Sequence, residues 1–220
     1  MSLDAPRLRG VDLVDEYAPR PVRASRTVYE GMVWDVQRDT VDLGEAVVDR
    51  EYIAHPGAVA IVALRAAPEA AGHYQVLLIK QYRHPIGAVE WEIPAGLLDV
   101  EGESLVAAAQ RELAEEADLR AGQWDTLVDI RTSPGALSES IRIFVARELD
   151  DVPADDRHVR EAEEAGMTRA WVDLDEAYSA VLAGRVSNVS AVVGILAAYG
   201  AKRVGWVTLR APDAPGALDG

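Results

Sequence analysis

"GLLDVEGESLVAAAQRELAEEADL" (residues 96–119) decides how the rest of the chain is read. Its second half has helical spacing: Val106, Ala109, Leu113 and Ala117 recur at the intervals that predict a core-facing stripe. Beside that stripe stand Glu112, Glu115 and Glu116. On a helix Glu112 and Glu116 lie about 40° apart, and Glu115 about 60° further round. Like charges one turn apart repel, and these border the core, so they call for a counter-charge. A hard divalent cation such as magnesium supplies one through oxygen ligands. Arg111 can orient a glutamate from behind, as groups outside a ligand shell do. Taken alone, "ELAEE" reads as a solvated helix face with a few ion pairs.

Outward from this helix, the N-terminal side is rich in strands. "TVYEGMVWDVQRDTVDL" (27–43) alternates and predicts a strand pair, after a loose arm of some twenty residues. "DREYIAHPGAVAIVAL" (49–64) begins alternating and becomes a buried strand at Ala58–Leu64. "APEAAGHY" is a turn-rich connection, "QVLLIKQYR" another buried strand, and "GAVEWEIPAGLLD" a strand and then a loop broken by Pro94 and Gly96. On the C-terminal side come "WDTLVDIRTS", the loop "PGALSES", the strand "IRIFVARE" and the acidic loop "DDVPADDRHVREAEEA". "TRAWVDLDEAYSAVLAG" passes from strand to helix, and "VSNVSAVVGILAAYG" is a last helix before a patternless tail. The expectation is an α+β fold with a mixed sheet, not a doubly wound repeat.

The composition narrows the function. A formal net charge of −15 repels nucleic acid and anionic membrane at long range, and admits a polyphosphate only where a cation or arginines intervene. No apolar run approaches a membrane span. The N-terminus is too polar and acidic for a signal peptide. No cysteine is present, which excludes disulfides and thiol chemistry and fits a cytoplasmic protein.

Glu103, seven residues and then "RELAEEADL" resemble the Nudix hydrolase signature, with Leu113 and Leu119 at its aliphatic positions. Two departures stand out. The loop from Gly96 to Glu103 is one residue longer than usual, and Asp118 replaces the usual glycine. Asp is among the few residues that tolerate the left-handed conformation glycine supplies there. The resemblance implies a Mg²⁺-dependent hydrolase, with Mn²⁺ as the alternative ion, acting on a nucleoside diphosphate linked to another group. It implies the Nudix fold, a mixed sheet between helices. It implies Glu112, Glu115, Glu116 and the Ala95 carbonyl as metal ligands, with Arg111 and Glu115 in the catalytic set.

"QYRHP" (81–85), "EIPAG" (92–96), "SPGALSES" (133–140) and the "EGMVWDV" region resemble the ADP-ribose pyrophosphatase branch, much of which other nucleotide-sugar hydrolases share. That branch implies Glu139 as the residue that activates water, on a Gly/Ser/Pro loop expected to move as the site closes. Glu103 is an alternative base or a structural carboxylate. Arg83 and Arg50 are candidates for phosphate or ribose, or else salt-bridge partners. His55, His73, His84 and His158 show no ligand spacing and read as structural or surface residues. The branch further implies a homodimer through residues 1–55, with a Nudix domain at 56–200 and a tail at 201–220. Trp34 would stack on adenine, or else be a core or interface residue. Competing readings are hydrolysis of another nucleotide, such as a nucleoside triphosphate, and a non-catalytic nucleotide sensor.

Overall fold

The computed structural model describes residues 5, 7–68, 72–158 and 167–216. Residues 69–71 of the turn-rich connection, 159–166 of the acidic loop and 217–220 of the tail lie outside these. The chain divides into two units, one running to Tyr52 and one from Ile53, where the sequence reading set the division after residue 55.

The first unit holds a three-stranded sheet ordered β1-β2-β3, from β1 (Val22–Tyr29), β2 (Asp35–Asp42) and β3 (Val47–Ala54), whose last two residues begin the second unit. β1 and β2 are antiparallel, Val22 opposite Val41 and Tyr29 opposite Val36. Polar pairs lace the strands: Arg23 with Asp42 at 2.6 Å, Thr40 with Asp49 at 2.7 Å and Tyr52 with Asp39 at 3.2 Å. Every residue of β1 is exposed, and no described residue up to Tyr52 is buried. Three strands without a core of their own are marginal in water.

The second unit is built around β4 (Ala58–Ala66), whose first seven residues are all buried. A continuous apolar run, rather than an alternating one, marks a strand covered on both faces. β5 (Tyr74–Arg83) and β9 (Ser140–Asp151) flank it, β9 running parallel and β5 antiparallel. β10 (Thr168–Asp173) and β8 (Leu119–Arg131) complete the order β10-β5-β4-β9-β8. The short β6 (Ala88–Glu92) joins β5, and β7 (Ala95–Leu97) joins the start of β4. The mixed sheet is as the sequence implied, except that part of the expected "PAGLLD" loop is strand β7.

Alternation along β4 splits the core. Ala58, Ala60, Val62 and Leu64 pack with α2 (Leu174–Leu182) and α3 (Val189–Arg203) through Leu174, Ala177, Ala191, Ile195 and Ala198. Val59, Ile61 and Ala63 pack with α1 (Leu105–Ala117) through Ala108, Ala109, Leu113 and Ala117. The sheet therefore lies between helices.

The expected tail has more order than its sequence suggests. α3 runs on to Arg203, and the chain then returns to β8, where Thr126 and Arg210 exchange backbone hydrogen bonds of 2.9 and 3.1 Å. Asp129 receives Arg210 at 3.0 Å and Arg142 at 2.7 Å, and Arg142 also donates to the Ala214 carbonyl at 2.9 Å. Arg142 is 2% exposed, so this pairing is what makes its burial tolerable.

Candidate active site

Helix α1 carries the carboxylates. Ser104 caps its start, accepting from the Ala107 N–H, and Asp118 ends it with a left-handed φ of 56°, the role expected of it in glycine's place. Asp118 also pairs with Arg169 at 2.6 Å. Because Ala109, Leu113 and Ala117 face the sheet, Glu112 and Glu116 fall at its margin and are buried, at 9% and 7% exposure. Buried carboxylates need partners. Glu116 accepts the Ala95 N–H at 2.9 Å, while Glu112 accepts from Arg111. Arg111 also grips Glu103 at 3.0 and 3.2 Å and lies 3.4 Å from Glu115. Glu103 is thereby engaged by Arg111 through both of its oxygens. The Glu103 hydrogen bonds, reinforced by Glu112, hold Arg111 firmly protonated. Burial pushes the Glu112 carboxyl up from its ordinary range; Arg111 pulls it back, and Glu115 and Asp99 push it up again.

β7 supplies the other wall. Ile61 N–H donates to the Pro94 carbonyl while Ala95 N–H turns to Glu116, so Ala95 opposite Ala60 is a non-hydrogen-bonded pair. In such a pair a residue's N–H and C=O both point away from the partner strand. The Ala95 carbonyl therefore faces the edge that Glu116 reaches. Gly96 lies against Glu112 so closely that a Cβ would sit 1.9 Å from its carboxyl carbon. Glycine leaves room for the Glu112 carboxylate there through close approach, not through a turn. All these donors are oxygens, the set a hard divalent cation takes, and the space a side chain at residue 96 would fill holds the Glu112 carboxylate.

The three glutamates do not meet at a point, because Arg111 draws Glu112 and Glu115 while Ala95 draws Glu116. The trio whose ligand atoms lie within 4.8 Å of one another, among the described residues, is His73, Asp173 and Asp175. That trio is a surface ion cluster: Asp173 caps α2, and Asp175 pairs with Lys202 at 2.9 and 3.0 Å.

Glu139 stands across β4 from β7, which α1 packs against. Leu97 and Ile141 both pair with Ala58, so β7 and the start of β9 are two strand spacings apart, about 10 Å. Glu139 lies two residues before Ile141. Its Oε1 is 3.3 Å from His55 Nε2, and its Oε2 accepts from Thr132 Oγ1. The loop is bonded to the end of β3 and the turn after it: Ile53 N–H donates to the Ala136 carbonyl at 2.9 Å, Ser138 N–H to the Ile53 carbonyl at 3.1 Å, and His55 N–H to Ser138 Oγ at 2.8 Å. A Gly/Ser/Pro composition did not reveal these long-range bonds, nor His55 and Thr132 as neighbours of Glu139.

Arg83 forms a bidentate pair with buried Glu92, at 2.7 Å on both arms. These bonds hold it protonated against the pull of its burial, and it also feels Glu116 and Glu90. A guanidinium has five N–H donors, so three remain. Trp34 and Arg50 belong to the first unit. Trp34 follows a tight turn in which a Cβ on Gly31 would meet its carbonyl oxygen at 2.1 Å, and Arg50 donates to the Asp49 carbonyl at 2.9 Å.

A mixed sheet between helices, with a capped helix aiming clustered glutamates at a glycine on the neighbouring strand, defines a class. Residues 54–191 match the NUDIX domain family, and the chain belongs to that family. It is 41% identical over 177 residues to the ADP-ribose pyrophosphatase of Mycobacterium tuberculosis (strain ATCC 25618 / H37Rv), covering 80% of this chain and 81% of that one. It is 34% identical over 127 residues to the ADP-ribose pyrophosphatase of Bacillus subtilis (strain 168), covering 57% and 65%. It is 36% identical over 123 residues to the methanol dehydrogenase activator of Bacillus methanolicus, covering 56% and 63%. A solved structure described as an ADP compounds hydrolase shares the fold, with a TM-score of 0.69 at 18% identity over 88% of this chain and 100% of that one.

Proposed function

We propose that the protein hydrolyses the pyrophosphate bond of ADP-ribose to AMP and ribose 5-phosphate, with Mg²⁺ as its cation and Mn²⁺ as the alternative. The observation that carries this reading is the set of oxygen donors where β7 meets α1, in a chain 41% identical to an ADP-ribose pyrophosphatase. Glu112, Glu115, Glu116 and the Ala95 carbonyl would hold the cation. When bound, it offsets phosphate charge and makes water more acidic. Arg111 keeps Glu112 and Glu115 in place while Glu103 keeps Arg111 in place. Arg83, anchored on Glu92, turns its remaining donors to phosphate oxygens. Glu139 takes the proton that the attacking water loses as the new P–O bond forms and the bridging P–O bond breaks. Arg50 and Trp34 contact the substrate, Trp34 by stacking on adenine. The first unit, which buries none of its described residues, completes itself by pairing with a second copy of the chain.

A panel of nucleotide substrates, incubated with purified protein and Mg²⁺ and resolved by chromatography, tests the reading. AMP and ribose 5-phosphate from ADP-ribose are expected. Inert ADP-ribose beside a cleaved nucleoside triphosphate would overturn it.

A further inference from the structure

His55, Pro56 and Gly57 form the turn between β3 and β4, and the turn touches both halves of the site. On one side the Gly57 carbonyl accepts the Leu98 N–H at 3.1 Å, immediately after Leu97, whose own carbonyl lies 3.4 Å from Arg111 Nη2. On the other, Gly57 N–H donates to His55 Nδ1 at 3.1 Å. A backbone N–H can only donate, so Nδ1 is an acceptor and the ring proton is on Nε2. Nε2 is the atom 3.3 Å from Glu139 Oε1. The His55 side chain is 7% exposed, so the ring is enclosed as well as hydrogen-bonded. Gly57 makes the arrangement accessible with a φ of +94°, and a Cβ there would sit 3.1 Å from Leu98 Cδ1. With Thr132 donating to Oε2 and His55 Nε2 lying 3.3 Å from Oε1, each Glu139 oxygen faces a polar group.

We propose that His55 is a positioning residue for Glu139: the turn fixes its tautomer, and its Nε2–H orients the carboxylate that takes the proton from water. The proposal rests on the reading of Glu139 as the base. A carboxylate held by Thr132 and flanked by His55 is already aimed when substrate arrives, and the bonds from its loop to Ile53 and His55 support that aim.

Two substitutions separate positioning from support of the turn. In His55→Asn the side-chain oxygen can still accept the Gly57 N–H, but nothing reaches Glu139. In His55→Gln the longer amide offers an N–H near the place of Nε2 and abandons Gly57. With ADP-ribose and Mg²⁺, Asn is expected to lower kcat roughly ten- to a hundred-fold with KM and melting temperature little changed. Gln should keep kcat near wild type while melting earlier. The reverse order, or losses of kcat that simply follow melting temperature, would overturn the proposal. In a Glu139→Gln background His55→Asn should cost nothing further; an undiminished additional loss would show that His55 acts elsewhere. Should Glu139→Gln alone leave kcat intact, the base reading itself falls. Should Glu139→Gln cripple the enzyme while His55→Asn does not, only the positioning role falls. Nitrogen-15 NMR of the wild-type imidazoles supplies a readout independent of turnover. The chain has four histidines, and His55 is expected as the Nε2–H tautomer; the Nδ1–H form would refute the proposal.

Discussion

Gly96→Ala tests the geometry of the carboxylate cluster with a single methyl group. The added Cβ would fall 1.9 Å from the Glu112 carboxyl carbon and 2.1 and 2.3 Å from its oxygens. Ordinary contact begins near 3.4 Å, so the carboxylate must retreat by about 1.5 Å, the difference between 3.4 and 1.9 Å. It is the end of a movable side chain, so the fold survives. Its bond to Arg111 and its place among the oxygen donors do not. A misplacement of about 1 Å can cost a hundred-fold in rate, which corresponds to about 2.7 kcal/mol of transition-state stabilisation. We expect kcat/KM for ADP-ribose to fall by about that factor, and Mg²⁺ affinity to fall in titration calorimetry, with the circular dichroism spectrum unchanged. Glu112→Ala removes the obstacle, so adding Gly96→Ala to it should cost no further stability. A folded Gly96→Ala protein with wild-type turnover and Mg²⁺ affinity would show that Glu112 does not need its place against β7.

Glu112→Gln and Glu116→Gln should each weaken Mg²⁺ binding severely while leaving the fold intact; unchanged calorimetric affinity in both would remove them as ligands. Glu139→Gln should lower kcat by roughly two to four orders of magnitude with KM little changed, measured by steady-state kinetics. Asp129→Asn strips buried Arg142 of its carboxylate and should cost about 3–5 kcal/mol, read as a lower denaturation midpoint. Burial opposes the Asp129 charge, but the bonds from Arg142 and Arg210 outweigh it and hold its carboxyl below the ordinary range. Its stabilisation is therefore present above the unfolded value of 3.8 and disappears as pH falls through the lower folded one, so acid titration should show a loss below about pH 4 that Asp129→Asn lacks. Trp34→Ala should raise KM for ADP-ribose by roughly one to two orders of magnitude without changing the sedimentation of the proposed dimer. A general drop in melting temperature would make Trp34 structural instead.

What was legible in the sequence followed from local periodicity. The helical stripe around Leu113 placed α1, the apolar run from Ala58 marked the central strand, and the choice of Asp118 anticipated a left-handed helix end. What escaped depended on partners distant in sequence. Gly96 read as a breaker because the reason for it is a carboxylate sixteen residues on. Arg83 read as a substrate arginine or a salt-bridge partner, and Glu92 as that partner escaped because it comes near only when β5 and β6 pair. The tail looked patternless because its order comes from Arg142 and Asp129 on another part of the chain. His55 carried no ligand spacing, since its partner Glu139 is brought near by the pairing of β4 with β9.

That pairing also sets a clock. β4, which pairs with β7, and β9, which follows Glu139, meet as parallel neighbours, joining backbone about 83 residues apart. Closing so long a span costs chain entropy before any contact repays it, and topologies dominated by such distant contacts fold slowly. α1 and the β8–β9 hairpin need only nearby sequence and can form early. The oxygen donors and Glu139 share a common frame only once β9 has docked along β4. In refolding from denaturant, the return of hydrolysis should therefore keep step with the slowest phase of the polypeptide, with no earlier species that turns over substrate.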